Sequence, residues 1–274
     1  MENNGFSMLT ILSFVCLVLL WWEASRIRNH LDDDDVPYDF VFLKSNPAGN
    51  WSAWDGESIL FDDQGYQCKW RQYQTKMAPD DSVSVCLNPY NDTVSDTITV
   101  EDGFYKECDV VVKNWKASGG GILGLNQTYV DIGSHIGACI WTVLMALPKM
   151  VQVIAFEPHP RNLFCLTKTI LRNPQWKDRV RLYPISVGDK VGKMKVDLHN
   201  DRDVGSTQLF VPKAGSAYSG VVFMETLDRL LLEKNRIDMM RINVNGNECL
   251  VMDGAAVMLR RTETVVVVLD SEDQ

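Results

Sequence analysis

No C-x-x-C pair occurs among the seven cysteines of this 274-residue chain, and only four histidines are present, so a structural zinc site has no ligand spacing to rest on. Basic residues are in deficit: 27 Lys and Arg against 36 Asp and Glu leave a formal charge of -9. A chain of that balance lacks the positive face that grips a phosphate backbone, which excludes nucleic acid as the expected partner. No P-loop lysine follows its main glycine turn either, which removes ATP from the first rank of ligands.

What the sequence does contain, in order, is a strand, a glycine turn, a helix, a second strand and a carboxylate. Tyr129 to Ile132 is a short apolar run that carries Asp131. Gly133 and Gly137 let the backbone turn tightly and approach a ligand. Ile136, Ile140, Val143, Leu144 and Leu147 then fall at helical spacing up to Pro148, and Val151 to Phe156 reads as the next strand. Glu157 stands at its carboxyl end, where an acid can accept hydrogen bonds from both ribose hydroxyls of a nucleoside. A pyrophosphate on a helix N-terminus favours G-x-G-x-x-G, whereas this turn is spaced G-x-x-x-G with an acid two residues before it. That pattern fits S-adenosylmethionine (SAM) better than NAD.

Downstream, Leu163, Leu166, Ile170 and Leu171 mark a second helix stopped at Asn173-Pro174, and Val180 to Val187 reads as a third strand. Lys193 to Leu198 alternates strictly and predicts an added, half-exposed strand. His199 to Gly220 is polar, with Asp201, Asp203, Gly205, Ser206 and Thr207 forming either part of an acceptor pocket or a solvated loop. A short helix over Glu225 to Asn235, a fourth strand over Ile237 to Val244, one helix through Leu250 and Leu259, and a fifth strand over Thr264 to Leu269 complete the core. Upstream, Thr97 to Val100 reads as a short strand and Asp109 to Trp115 as a helix.

The series Asp131-Ile-Gly-Ser-His-Ile-Gly137, Ala155-Phe-Glu-Pro158, Glu225-Thr-Leu-Asp228 and Ile237-Asp-Met-Met-Arg-Ile-Asn-Val-Asn-Gly-Asn-Glu248 resembles, in content and order, the FkbM-type methyltransferases. The resemblance covers roughly residues 80 to 270. It implies an α/β, Rossmann-like class I methyltransferase fold with a mostly parallel sheet in strand order 3-2-1-4-5 and SAM as cofactor. It also implies a donor site of Asp131, Gly133, His135, Gly137, Glu157, Pro158 and Ser186, with the Ile185-Ser186 strand end against the adenine. The family's last motif usually reads D-x-x-K-I-D-V-E-G-x-E. Here Arg241, Asn243 and Asn245 replace its lysine and two acids, Gly246 and Glu248 are kept, and His135 stands where the glycine loop usually has asparagine. Two further strands normally follow the fifth in this architecture. Without them Val265 to Val268 is an apolar edge, so either the sequence is an incomplete product or a partner or oligomer supplies the cover.

Residues 1–28 read as a membrane anchor or signal segment, built on the 17 uncharged residues from Phe6 to the Trp21-Trp22 pair. The missing small-x-small cleavage site favours an uncleaved single-pass anchor. Residues 29–79 read as an acidic linker and irregular extension around Asp32 to Asp35, and 80–274 as the methyltransferase domain. Arg26 and Arg28 point to a cytosolic domain, while the sequons at Asn50, Asn91 and Asn126 point to a glycoprotein in the secretory lumen, the orientation favoured here. Two of Cys68, Cys86 and Cys108 are expected to pair there. Cys139, Cys165 and Cys249 are expected as buried thiols.

Methyl transfer to a hydroxyl on a small molecule or glycan requires removal of the acceptor's proton, and Asn243 and Asn245 cannot take one. Three readings therefore stand. Glu248, His135 or a loop acid has assumed the role; the fold binds SAM without transferring methyl groups; or a membrane-tethered interaction module has kept the scaffold for its surface.

Overall fold

The computed structural model describes residues 53–57, 59–61, 66–89, 92–119, 126–147, 151–196 and 220–269. Its centre is a five-stranded parallel sheet. β3 (Gln127–Ile132) and β4 (Val151–Phe156) lie side by side in the middle. β5 (Val180–Tyr183) flanks β4, while β9 (Ile237–Ile242) flanks β3 and β10 (Thr262–Val267) flanks β9. In order of core strands this is the expected 3-2-1-4-5, with the crossover from β3 to opposite neighbours that opens a crevice at the carboxyl ends. The fold is Rossmann-like.

β4 is buried on both faces from Val153 to Phe156 and is apolar on both there, as such a strand must be. Val153 and Ala155 enter one core while Ile154 and Phe156 enter the other. The first core is closed by α3 (Ala138–Ala146), α4 (Pro160–Arg172) and a hairpin of β1 (Lys69–Thr75) with β2 (Ala78–Leu87). α3 is buried nearly all round because the hairpin lies on its far side, so its apolar stripe is wider than packing on a sheet alone requires. Trp141 stacks on Trp176 there at 5.5 Å between ring centroids.

Several expected elements differ. The extension before residue 79 is not irregular throughout: β1 and β2 pair antiparallel, and β2 runs across the expected boundary. Thr97 to Val100 ends a helix, α1 (Thr93–Val100), because Asp92 caps it by accepting the Ser95 N–H at 2.9 Å and Ile98 packs in the core. Cap and packing override the β-branched composition. The third strand stops at Tyr183 because Pro184 has no N–H to continue the ladder. Ser186–Val187 (β6) instead joins β7 (Gly192–Val196) and an unforeseen β8 (Gly220–Glu225) in a separate sheet. The helix after β8 is only one turn, α5 (Leu227–Leu230). The single last helix is two, α6 (Glu248–Asp253) and α7 (Ala256–Arg260), since Asp228 accepts the Val257 and Met258 amides and starts a new turn.

The cysteines also correct the expectation. Cys68 pairs with Cys86, but Cys108 pairs with Cys139, which is no free thiol, and Cys249 is disulfide-bonded as well. Only Cys165, among the described residues, is a buried thiol. The Cys108–Cys139 bridge ties α2 (Lys106–Ala117) to the first turn of α3. No helix of the described residues is long and apolar enough to cross a membrane. The expected anchor, the sequons at Asn50 and Asn91 and the loop acids Asp201 and Asp203 lie outside the described residues; Asn126 is exposed just before β3. On β10, Val266 packs into the first core and Val265 and Val267 into the second.

Opening the Cys108–Cys139 link frees a loop of 31-residue separation, for which chain entropy alone contributes about 4 kcal/mol. The Cys108→Ser/Cys139→Ser double variant is expected to lose about that much in equilibrium denaturation. An unchanged denaturation midpoint would show that α2 is held by packing alone.

Candidate active site

The carboxyl ends of β3, β4 and β9 open into one cavity, lined among others by Gly133, Ser134, His135, Glu157, Pro158, His159, Asn162, Ser186, Arg241, Asn243 and Asn245. Of the residues singled out in the sequence, Asp131, Gly137 and Glu248 stand behind this wall rather than on it.

The turn after β3 exists because two backbones touch. A Cβ on Gly133 would lie 1.8 Å from the carbonyl oxygen of Asn243, and its φ is +80°. No other residue fits there. Gly137 has a φ of +87° and caps α3, with the Trp141 ring against its Cα. His135 between them adopts a φ of 53°, which delivers its backbone N–H to Glu157 Oε2 at 2.7 Å.

Glu157 is buried at 4% exposure. Its Oε1 accepts the His159 N–H at 2.8 Å and the Asn162 side-chain amide at 3.3 Å. Burial raises its pKa, and the charge of His135 together with these donors works against that rise.

Below it, Asp131 is paired with Arg241 at 3.1 Å across the β3–β9 register, and Arg241 also donates to the Gly133 carbonyl at 3.2 Å. Burial raises the Asp131 carboxyl and Arg241 offsets part of the effect. Both bonds leave one nitrogen, Nη1, by which the guanidinium that stands in place of the family's lysine bridges the strand acid and the glycine turn. Glu107 of α2 lies 3.8 Å away on the other side.

Asn243 and Asn245 line the cavity, and Asn245 has a φ of 53°. Glu248 turns back on this loop, accepting the amides of Val244 at 3.0 Å and Gly246 at 3.3 Å. Ile185 and Ser186, which follow β5 rather than ending it, also line the cavity.

Three site residues were not foreseen. Asp92, read only as the middle of a sequon, is buried and meets His135 Nε2 at 2.8 Å while capping α1. Burial would raise its carboxyl, but His135 and Ser95 hold it down at about 2. His159 is 5% exposed, and its Nδ1 has no hydrogen-bond partner among the described residues. Burial and the neighbouring charges of His135 and Arg161 bring it down to about 3, so it is neutral at physiological pH. Asn162 is the third. Its only sequence signal was its place five residues after Glu157, in the first turn of α4.

The profile of the methyltransferase FkbM domain matches residues 131–274, just over half of the chain. A crystal structure of methyltransferase FkbM from Methylobacillus flagellatus KT is similar at 15% identity with a TM-score of 0.40, over 54% of this chain and 34% of that one. The chain thus spans about a third of that protein's length. No curated protein matches.

A carboxylate whose pKa is depressed on folding stabilises the fold above its unfolded value and loses that contribution as pH falls through the folded value. For Asp92 the window runs from about 4 down to about 2. The Asp92→Asn variant is expected to be less stable than wild type at pH 6 by about 2 kcal/mol. The difference should shrink toward pH 2 in denaturant titrations; a gap independent of pH would mean that the charge of Asp92 contributes nothing.

Proposed function

The chain belongs to the FkbM methyltransferase family, and from that premise we propose that it transfers a methyl group from SAM to a hydroxyl of a small molecule or glycan. The observation that carries the reading is Glu157, a buried acid at the carboxyl end of β4, beside a glycine turn pressed against the neighbouring strand end. The residues fit the donor. Glu157 supplies an anionic acceptor for ribose hydroxyls, and Pro158, Ile185 and Ser186 supply a slot for a flat base. Asp131 and Arg241 fix the turn from below. SAM, when bound, supplies a methyl group activated on a sulfonium.

The protein's own contribution is then positioning and exclusion of water. Asn243 and Asn245 can orient an acceptor through hydrogen bonds but hold no proton-accepting charge. Glu248 is committed to the loop amides that set those two side chains in place. His159 is too weak a base at a pKa of about 3. Among the cavity-lining groups, His135 backed by Asp92 is the candidate base.

A second reading, donor binding without transfer, is favoured by the same two asparagines. Placement in the secretory lumen is supported by the disulfide-bonded cysteines, since such bonds persist in oxidising compartments. There, an N-terminal anchor would hold the domain at the membrane.

Calorimetric titration of SAM into the purified protein is expected to show saturable binding that weakens at least tenfold, about 1.4 kcal/mol, in Glu157→Gln. Folded protein that takes up no SAM would end both readings. Transfer of labelled methyl groups to a glycan or small-molecule hydroxyl panel, abolished in His135→Asn, would separate the first from the second.

A further inference from the structure

We infer that Asn88, supplied by the segment upstream of the matched domain, is a positioning residue for Glu157, acting through a one-way hydrogen-bond relay that starts at Tyr66. The inference rests on the donor-binding role proposed for Glu157, but its geometry does not. The Tyr66 hydroxyl donates to Asn88 Oδ1, and the Cys165 thiol donates to the same oxygen at 3.3 Å. Asn88 Nδ2 donates to Asn162 Oδ1 at 3.1 Å, and Asn162 Nδ2 donates to Glu157 Oε1 at 3.3 Å. Asn88 and Asn162 are 2% and 3% exposed, so water is not there to replace a lost partner.

Direction is the point. An amide offers a carbonyl on one side and an amino group on the other, and either can face a given neighbour. As a carboxylate Glu157 can only accept, so Asn162 faces it with its amino group and turns its carbonyl to Asn88. Asn88 then faces Asn162 with its amino group and leaves its carbonyl to the Tyr66 hydroxyl and the Cys165 thiol, which both donate to it. With both ends of the Asn88 amide engaged, the chain of bonds holds a donor on a carboxylate that burial would otherwise neutralise. The hairpin and the loop after it hold the relay's start in place: Asn88 N–H donates to Ser95 Oγ at 3.0 Å, and Cys86 N–H donates to Thr169 Oγ1 of α4 at 2.9 Å.

The test is Asn88→Asp, which keeps shape but replaces the amino group with an oxygen. That oxygen repels the Asn162 carbonyl, so the Asn162 amide turns and presents its own oxygen to Glu157. Carboxyl carbon NMR on glutamate-labelled protein, with Glu157 assigned by its absence in Glu157→Gln, reads the consequence directly. The Glu157 titration midpoint is expected to rise by about one pH unit, tenfold in proton affinity. S-adenosylhomocysteine affinity at pH 7.5 is expected to fall about tenfold. Should Asn88→Asp not fold, Tyr66→Phe/Cys165→Ala removes both donors to the Asn88 carbonyl and is expected to move the midpoint the same way by a smaller amount. A midpoint unchanged in a folded variant overturns the relay, whatever the ligand does. If the midpoint moves and wild-type protein binds neither SAM nor its product, the relay stands and the methyl-donor reading falls.

Discussion

A single buried carboxylate sets the terms for the architecture around it. Glu157 cannot be ionised at 4% exposure without donors, and its donors come from two separate pieces of chain. The glycine turn contributes the His135 amide, and the cap and first turn of α4 contribute the His159 amide and the Asn162 side chain. The left-handed conformation at His135 is strained for a non-glycine residue, and its return is the amide aimed at Glu157. β4 has to end where it does, and α4 has to begin where it does, for these groups to meet.

The same requirement draws in residues that precede the family match. Asp92 clasps His135, Glu107 approaches Arg241, Asn88 orients Asn162 and Cys108 is bonded to Cys139. All four contacts end on the glycine turn, on the helix following it, or on partners of the central acids. A domain cut at residue 131 would leave Asn162, His135 and Arg241 each short of a contact. Residues 66–117 are therefore part of the site, although the motifs of the site all lie after them.

Legibility in the sequence followed the range of the forces involved. The core strands, the glycine turn and the place of Glu157 were readable because apolar runs, glycines and a strand-end acid act over a few residues, while the strand order came with the family resemblance. The hairpin was hidden because Arg71, Gln72 and Gln74 interrupt β1, which offers no continuous apolar signal. α1 looked like a strand because Thr97 to Val100 is β-branched, and the deciding cap sits at Asp92, inside what looked like a glycosylation signal. The Cys108–Cys139 bond crosses from α2 to α3, and no spacing rule announces such a pair. The relay through Asn88 and Asn162 spans 74 residues of sequence. Pairings of that kind are set by the finished fold.

The exchanges at 241, 243 and 245 show which parts of the last motif the fold needs. At 243 the backbone is indispensable, since its carbonyl oxygen presses on Gly133 and its amide donates to Ile132. The side chain points into the cavity wall and carries no such duty, so an acid can become an amide there without disturbing the turn. Position 245 needs a residue that tolerates a positive φ, which asparagine does more readily than glutamate. Position 241 is different: an uncompensated Asp131 at 0% exposure would be costly, so a cation must stay, and arginine adds a bond to the Gly133 carbonyl. Charge is thus retained where the fold is built on it and lost at two positions that line the cavity. The departures from the family's pattern around the cavity are Arg241, Asn243, Asn245 and His135, the last held by Asp92.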